Sequence, residues 1–193
     1  RSIIYMPMIP EAVIAMLACT RLGIIHSVVF GGFSAEALKA RIQDLGATVV
    51  ITADGGYRRG KEIKLKPAVD EALQDCPDVK DCIVYRRTGS ETAMKDGRDS
   101  WWHALDETAS EDCPAVPLDS EHPLYVLYTS GTTGLPKGAM LTFRNALYKT
   151  DVSVSTKGIA TDDVLLAIAP LYHIAGMLMG VNIPMLSGAT TVL

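Results

Sequence analysis

About the first quarter of the chain alternates regularly between helical and strand-like segments. Pro10 can open a helix at its first turn, apolar residues recur at helical spacing as far as Leu22, and Gly23 ends the segment. Residues 24–30 are rich in β-branched side chains and have the composition of a buried strand. Residues 34–52 then repeat the order of helix and strand. This alternation with short turns predicts an α/β fold, in which crossover helices connect a partly parallel sheet.

The rest of the chain is expected to continue this alternation on either side of one irregular stretch. Residues 86–122 combine charges, prolines and a tryptophan pair, which is typical of a long surface excursion with one short helix or of a disordered segment. Outside this stretch, the sequence predicts helices at 67–73, 142–157 and 175–186, and strands at 82–85, 124–128, 164–169 and 189–193.

The composition fits one globular domain and argues against a partner that is a polyanion. The chain has 193 residues, of which 48% are hydrophobic and 21% are charged, so it can bury a sizeable core. Eighteen basic and 22 acidic residues give a net charge of −4. We therefore expect no nucleic-acid partner.

Neither secretion nor membrane insertion is predicted. The longest apolar region, residues 164–186, is interrupted by prolines, a histidine and an asparagine, whereas a transmembrane segment needs roughly 20 nearly uninterrupted apolar residues. The chain starts without an initiator methionine or a signal-peptide pattern, and we interpret it as an excerpt. Its four cysteines form no C-x-x-C pair and have no histidine at ligand spacing. This pattern predicts no metal site, and reduced thiols in a cytoplasmic protein.

Residues 128–138, YTSGTTGLPKG, have a composition suited to phosphate binding. Glycines let backbone N–H groups approach an anion, hydroxyls add donors, and the lysine adds a positive charge. A Walker A loop is excluded, because Pro136 precedes Lys137 and Gly138 follows it, so no helix begins there. The alternative is a flexible linker, although linkers seldom place one lysine between glycines directly after a buried strand.

A second candidate site combines a glycine turn with a basic loop. Residues 30–34, FGGFS, join a strand to a helix start, where backbone N–H groups can meet an anion. Within residues 51–66, five lysines and arginines gather beyond a strand end. Ligands of open α/β sheets bind beyond the carboxyl ends of strands, so both features can belong to one site. A plain tight turn and a solvated basic loop are the alternatives.

The YTSGTTGLPKG segment resembles the signature loop of the adenylate-forming superfamily, which includes acyl-CoA synthetases, adenylation domains and luciferases. In that superfamily the loop surrounds the pyrophosphate end of ATP while a carboxylate attacks the α-phosphate. The resemblance implies ATP and Mg²⁺ as cofactors and Lys137 as a catalytic residue that stabilises charge. It also implies that the ATP phosphates are bound by Thr129, Ser130, Gly131, Thr132, Thr133, Gly134 and Lys137.

Residues 3–138 resemble acetyl-CoA synthetases. The resemblance rests on VVFGGFS, ITADGGYRRGK, GRDSWWHAL and the opening YMPMIPEAVIAMLACTRLGIIHSVVF. It implies coenzyme A as a cofactor, with Gly32 facing the coenzyme and Arg58 and Lys61 on its phosphates. That family usually has arginine at the position of Lys61, and lysine lacks the bidentate fork that grips a phosphate.

Residues 139–193 depart from this pattern and, through APLYHIAGM at 169–177, resemble medium- and long-chain acyl-CoA synthetases. The resemblance implies that His173 is a catalytic residue beside the carboxylate and the α-phosphate, and that Ile174 and Ala175 bind a small carboxylic acid. Ala175 replaces a threonine of the acetyl branch and leaves room for a longer acid. A structural histidine at a helix start is the alternative for His173. The change of resemblance indicates either a divergent branch or an engineered junction.

The sequence therefore predicts a fragment of the large N-terminal domain of an adenylate-forming enzyme, namely an acyl-CoA synthetase, without the C-terminal lid domain. The implied reaction forms acyl-AMP and pyrophosphate and then transfers the acyl group to CoA. Because the family's adenine and ribose motifs and its lid lysine lie beyond residue 193, we expect the isolated chain to be inactive. A non-catalytic nucleotide- or CoA-binding scaffold is one alternative. Another is a segment that does not fold stably alone, since its last strand lies at an open edge.

Overall fold

A computed structural model describes residues 1–129 and 136–193. Most of its strands belong to one seven-stranded sheet, and two pairs of strands stand apart from it. The strands are β1 (Ser2–Met6), β2 (His26–Phe30), β3 (Val49–Ala53), β4 (Gly55–Arg58), β5 (Lys61–Lys64), β6 (Asp81–Tyr85), β7 (Asp99–Trp101), β8 (Pro123–Thr129), β9 (Lys137–Thr142), β10 (Val164–Leu166) and β11 (Thr190–Val192).

The large sheet is parallel except at one edge. Its strand order is β7-β6-β3-β1-β2-β8-β9, so the first strand of the chain lies in the middle. Strands β1, β2, β3, β6 and β7 pair in parallel, and β8 pairs in parallel with β2 where Tyr125 is opposite His26. Strand β9 runs antiparallel to β8. The predicted partly parallel sheet is therefore confirmed.

Helices cover both faces of this sheet. They are α1 (Pro10–Leu22), α2 (Ala35–Leu45), α3 (Lys66–Leu73), α4 (Trp102–Asp106), α5 (Phe143–Lys157), α6 (Ile174–Met177), a π-helical turn (Leu178–Asn182) and α7 (Ile183–Ser187). Helices α2 and α3 pack against each other, whereas α5 packs against α7. Helix α1 shares a cavity of about 230 Å³ with α5 and α7, so these three lie on one face. The connections from β1 to β2 and from β2 to β3 run in opposite directions along the sheet, and right-handed crossovers therefore put α1 and α2 on opposite faces. None of the helices in the described residues is long and apolar enough to cross a membrane.

Local signals explain where the main helices begin and end. The Ser34 side chain accepts a hydrogen bond from the Ala37 N–H at 3.3 Å and caps α2. Gly46 ends that helix with φ 63°, a left-handed conformation that glycine adopts without strain. At the start of α5, Thr142 and Asn145 form a reciprocal capping box. Ser34 and Gly46 are the residues that the sequence predicts at the two ends of α2. The cap of α5 comes from a Thr-x-x-Asn pattern at residues 142–145.

The core lies around β1. Ile3 and Ile4 have no exposed surface, and Leu38 of α2 and Val69 of α3 are equally buried on top of the sheet. A central strand covered on both faces is nearly all apolar, which is the pattern SIIYM has. Hydrophobic burial at the middle of the sheet is therefore the main stabilising contribution to this fold.

The structure differs from the predicted elements in several places. Strand β1 was not predicted, because its five residues run directly into the turn before α1. The β4–β5 hairpin, β7 and β9 were not predicted either. The hairpin is exposed at its tip, β7 has three half-buried residues and β9 is mostly exposed, so their sequences lack the apolar run that marks a buried strand. The strand predicted at 164–169 ends at Leu166, since its partner β11 supplies three residues. The helix predicted at 175–186 contains the π-helical turn, which lies just before Pro184.

Candidate coenzyme and nucleotide site

A cavity of about 290 Å³ opens at the carboxyl ends of the central strands. Met6 and Phe30, the last residues of β1 and β2, line it. The connection from β1 leads to β2 on one side, and the connection from β2 leads to β3 on the other side of β1. Such a reversal of strand order leaves a crevice beyond the carboxyl ends of the strands, where open α/β sheets bind their ligands.

The glycine turn after β2 forms one wall of this cavity. A Cβ atom on Gly32 would lie 2.5 Å from Cε1 of Phe30 and 3.1 Å from Nη1 of Arg58. The turn is held in place by the Tyr5 hydroxyl, which donates to the Phe33 carbonyl at 2.8 Å. Glycine is therefore required at position 32 for the backbone, the aromatic ring and the guanidinium to come together.

The β4–β5 hairpin supplies Arg58. Its guanidinium lies 5.1 Å from the centre of the Phe30 ring, and it lines the cavity together with Gly32. Lys61 is opposite Arg58 across the hairpin, is exposed, and is not among the residues that line the cavity. The structure thus brings together two of the three residues predicted to contact the coenzyme and leaves Lys61 outside.

Arg87 lines the same cavity and was missed by the sequence reasoning. It lies two residues beyond the end of β6. The dipeptide Arg86-Arg87 directly after a strand could have indicated Arg87 as a ligand-binding residue. Basic residues beyond a strand end are also the pattern from which Arg58 was predicted. The irregular composition of the following residues hid this signal.

The predicted phosphate segment lies at the open end of the β8–β9 hairpin. Thr129 and Lys137 are opposite each other in the ladder, and the Thr129 hydroxyl donates to the Lys137 carbonyl at 3.5 Å. Lys137 is exposed at the start of β9. A Cβ atom on Gly138 would lie 2.7 Å from Cγ1 of Val126, so the strands approach closely here. The remaining predicted phosphate ligands lie outside the described residues: Ser130, Gly131, Thr132, Thr133 and Gly134.

His173 caps helix α6. The Ala175 N–H donates to Nδ1 of His173 at 3.1 Å. Because Nδ1 accepts this bond, the proton of the neutral ring is assigned to Nε2. The structural role considered for this residue is thus present, and the exposed ring retains one N–H that can donate to a ligand.

The segment before His173 packs onto the glycine turn. The Tyr172 ring centre lies 5.0 Å from that of Phe30, and both Leu171 and Tyr172 line the 290 Å³ cavity. Gly176 makes this turn possible, because a Cβ atom there would lie 2.1 Å from the Pro170 carbonyl oxygen. The segment that resembles fatty acyl-CoA synthetases and the segment that resembles acetyl-CoA synthetases therefore form walls of one cavity.

Ile174 and Ala175 occupy the first turn of α6, beside His173. Ile174 is 39% exposed and Ala175 is half-buried. Neither residue lines the cavity that contains Gly32 and Arg58. Within residues 1–129 and 136–193, no group of three or more His, Cys, Asp or Glu side chains could hold a metal ion.

Comparison with known proteins places these features in a family. The profile described as AMP-binding enzyme matches residues 1–193. The chain belongs to the AMP-binding enzyme family. Acetyl-coenzyme A synthetase of Mycobacterium bovis is 52% identical over 199 residues, which cover 100% of this chain and 30% of that protein. The enzyme of the same name from Mycolicibacterium smegmatis is 61% identical over 142 residues, which cover 74% of this chain and 15% of that protein.

A solved structure supports the same assignment of the fold. Acetoacetyl-CoA synthetase from Streptomyces lividans matches with a TM-score of 0.89 and 29% sequence identity, covering 100% of this chain and 29% of that chain. The predicted resemblance to acyl-CoA synthetases of the adenylate-forming superfamily is confirmed. The chain spans about 30% of the length of the Mycobacterium bovis protein, which matches all of this chain.

Proposed function

We propose that the protein containing this chain is an AMP-forming acyl-CoA synthetase, an acid–thiol ligase. One observation carries the proposal: the cavity beside Gly32 and Arg58 shares a wall with Tyr172, the residue directly before His173. A coenzyme held at this cavity would reach the histidine that the resemblance assigns to the acyl group. We also assign residues 1–193 to part of the N-terminal AMP-binding domain of that protein.

The residues of the cavity fit a phosphorylated coenzyme. Gly32 lets the backbone approach a ligand without a side chain in between, and Arg58 supplies a planar donor fork suited to phosphate oxygens. The rest of the wall, including Met6 and Leu65, is largely apolar and suits the hydrocarbon part of a ligand. A concave apolar site with a few cationic donors is what coenzyme A requires.

In the first half-reaction, a carboxylate oxygen attacks the α-phosphorus of ATP, and the bond to the pyrophosphate oxygen breaks with its electron pair on pyrophosphate. Thr129 and Lys137 are fixed opposite each other by the β8–β9 ladder, so both can be directed at the departing phosphates. Mg²⁺ bound with ATP would neutralise part of the phosphate charge. Lys137 would stabilise the charge that builds up on pyrophosphate without covalent participation.

In the second half-reaction, the coenzyme thiol attacks the acyl carbon, AMP leaves with the electron pair of the broken bond, and the thiol proton is released. In either half-reaction, His173 would donate its Nε2–H to an oxygen of the substrate's carboxyl group or of the α-phosphate, because the Ala175 N–H occupies Nδ1. Ile174 and Ala175 would border the acyl group of a small carboxylic acid.

Free buried thiols at Cys19, Cys76 and Cys82 support a reducing compartment such as the cytoplasm.

The proposal is tested with the full-length protein. Carboxylate-dependent exchange of labelled pyrophosphate into ATP measures the first half-reaction, and CoA-dependent release of AMP measures the second. We expect both. A protein that is protected by ATP or CoA against proteolysis, yet catalyses no exchange with any of a panel of short and medium acids, would instead be a binding scaffold.

A further inference from the structure

The 290 Å³ cavity carries an unbalanced positive charge. Arg58 and Arg87 both line it, and none of the described residues that line it is acidic. Within the described chain, no carboxylate lies within 4.0 Å of either guanidinium, since neither arginine forms an ion pair. Two arginines that line one concave surface without an acidic partner favour the binding of an anion there.

One buried carboxylate fixes the segments that carry both arginines. Asp54 is 2% exposed and accepts hydrogen bonds from the N–H groups of Gly55 at 2.7 Å, Arg87 at 2.8 Å, Thr88 at 3.0 and 3.1 Å, and Gly89 at 2.8 Å. Gly55 begins the hairpin that contains Arg58. Asp54 therefore ties the start of this hairpin to the loop that contains Arg87.

The bonds to Asp54 favour its charged form. Burial alone would raise the pKa of this carboxyl, but the backbone N–H donors of residues 87–89 and of Gly55 outweigh it and hold the pKa below the usual range. The carboxylate is thus charged at neutral pH and holds the 87–89 loop in place.

The neighbouring Arg86 differs from Arg87: its guanidinium lies 4.5 Å from the centre of the Trp101 ring, and Arg86 does not line the cavity.

We propose that Arg87, held in position by Asp54, joins Arg58 in binding a phosphoryl group of coenzyme A, and that it supplies the contact which the sequence assigns to Lys61. The inference rests on the proposed function, because coenzyme A is the ligand proposed there. An arginine at position 87 offers the bidentate fork that lysine at position 61 lacks. Although position 61 of the hairpin is a lysine, two guanidinium groups, those of Arg58 and Arg87, are then available to the phosphate.

The first test measures the Kd of coenzyme A by calorimetry with the full-length protein. Arg87→Ala is expected to weaken binding about tenfold to a hundredfold, as for loss of a charge-assisted hydrogen-bonded contact. Lys61→Ala is expected to weaken it less than Arg87→Ala. Arg86→Ala is the matched control, with an expected change of at most about twofold. Pantetheine, which lacks the phosphates, should bind the wild type and Arg87→Ala equally.

The second test examines Asp54 as a positioning residue. Asp54→Asn replaces an acceptor-only group by one that carries an NH₂, so the loop at 87–89 loses part of its anchor. If Asp54 acts through Arg87, Asp54→Asn should raise the Kd of coenzyme A more in the wild type than in the Arg87→Ala background, where only its effect through Gly55 and the Arg58 hairpin remains. Equal effects in both backgrounds would show that Asp54 has only a general structural role.

The outcomes separate the inference from the proposed function. If the wild type binds coenzyme A and Arg58→Ala weakens binding, while Arg87→Ala binds like the wild type and Lys61→Ala does not, the inference is wrong and the proposed function stands. If Arg87→Ala weakens pantetheine as strongly as coenzyme A, the phosphate contact is also ruled out. If the wild type binds neither ligand, both the inference and the proposed coenzyme are wrong.

Discussion

The Arg41 guanidinium lies 4.6 Å from the centre of the Phe33 ring. The same group lies 5.4 Å from the centre of the Tyr128 ring, and Arg41 as a whole is only 8% exposed. The Tyr128 hydroxyl donates to Asp44 of the same helix at 2.6 Å. Phe33 belongs to the glycine turn beside the 290 Å³ cavity, and Tyr128 is the first residue of the predicted phosphate segment. Helix α2 therefore connects the two parts of the proposed site.

Arg41→Ala should weaken this connection and lower the free energy of unfolding by about 1 to 3 kcal/mol, because it removes two partly desolvated cation–π contacts and the packing of the stem. Chemical denaturation monitored by circular dichroism measures the change. Arg144→Ala is the matched control: this exposed arginine pairs with Glu121 on the surface, where ion pairs contribute little. Equal destabilisation by both substitutions would contradict the role of Arg41.

Lys137→Ala should slow carboxylate-dependent adenylation about a hundredfold, because loss of one charge-assisted contact removes roughly 2 to 4 kcal/mol of transition-state stabilisation. ATP binding should weaken less, since backbone and hydroxyl donors would still hold the ground state. Thiolysis of supplied acyl-AMP should be nearly unaffected, because pyrophosphate has already left. Pre-steady-state kinetics with Lys149→Ala, an exposed lysine on α5, as control measure these steps. Equal losses of ATP affinity and adenylation rate would show that Lys137 is not a transition-state residue.

His26 should make the fold sensitive to mild acid. It is 1% exposed, and burial lowers its pKa from 6.5 to about 4, an effect partly offset by the Ile24 carbonyl. Because the unfolded chain binds the proton more tightly, stability is highest above pH 6.5 and falls as the pH decreases towards 4, by about 3 kcal/mol in all.

Urea denaturation between pH 4 and pH 7 checks this dependence. His26→Leu should flatten the curve over this range and should cost little at pH 7, since Nε2 of His26 has no hydrogen-bond partner among the described residues. His103→Gln, at an exposed position, should retain the slope of the wild type. A His26→Leu variant with an unchanged slope would assign the acid sensitivity to other groups.

The proposed acyl site should accept acids longer than acetate. Ala175 and Met179 are half-buried and lie one helical turn apart on the same side of the helix. Each added CH₂ that is buried contributes about 0.8 kcal/mol, or about fourfold in kcat/KM, until the pocket is filled. Initial rates for acids of two to eight carbons measure this preference.

Ala175→Thr should shift the preference back towards acetate, whereas Val164→Thr, at a largely exposed position on β10, should leave it unchanged. A sharp preference of the wild-type protein for acetate would overturn the prediction of a larger pocket. It would agree instead with the names of the relatives, which are acetyl-CoA synthetases.

Elements with local signals could be predicted from the sequence. Pro10 and Gly23 bracket α1, and Ser34 and Gly46 bracket α2, because capping depends on residues within one turn of the helix end. The signature loop was recognised in the same way, as a continuous motif. The resemblance to a known family extended these local signals to the right fold and to the glycine turn.

Features that depend on distant partners could not be predicted. Strand β1 is defined by pairing with β2 and β3, which lie more than 20 residues away in the chain. Arg87 reaches the cavity because its backbone bonds to Asp54, 33 residues earlier. Lys61 was assigned from its position in a motif, whereas the residues that line the cavity depend on how the hairpin packs against the rest of the chain.

Strands β2 and β8 are joined less extensively than the central strands of the large sheet, so we expect β8 to unfold locally while β1, β2 and β3 stay paired. Among the described residues, these strands pair at His26 and Tyr125, whereas β1 pairs at five positions with β2 and at four with β3. Amide hydrogens of β1, β2 and β3 should therefore exchange with solvent most slowly. Those of β8 should exchange through local unfolding that requires less free energy. A nucleotide held at the far end of β8 would suppress these openings. Its binding should then be detectable as slower deuterium uptake at Tyr125, at the opposite end of the strand from Thr129.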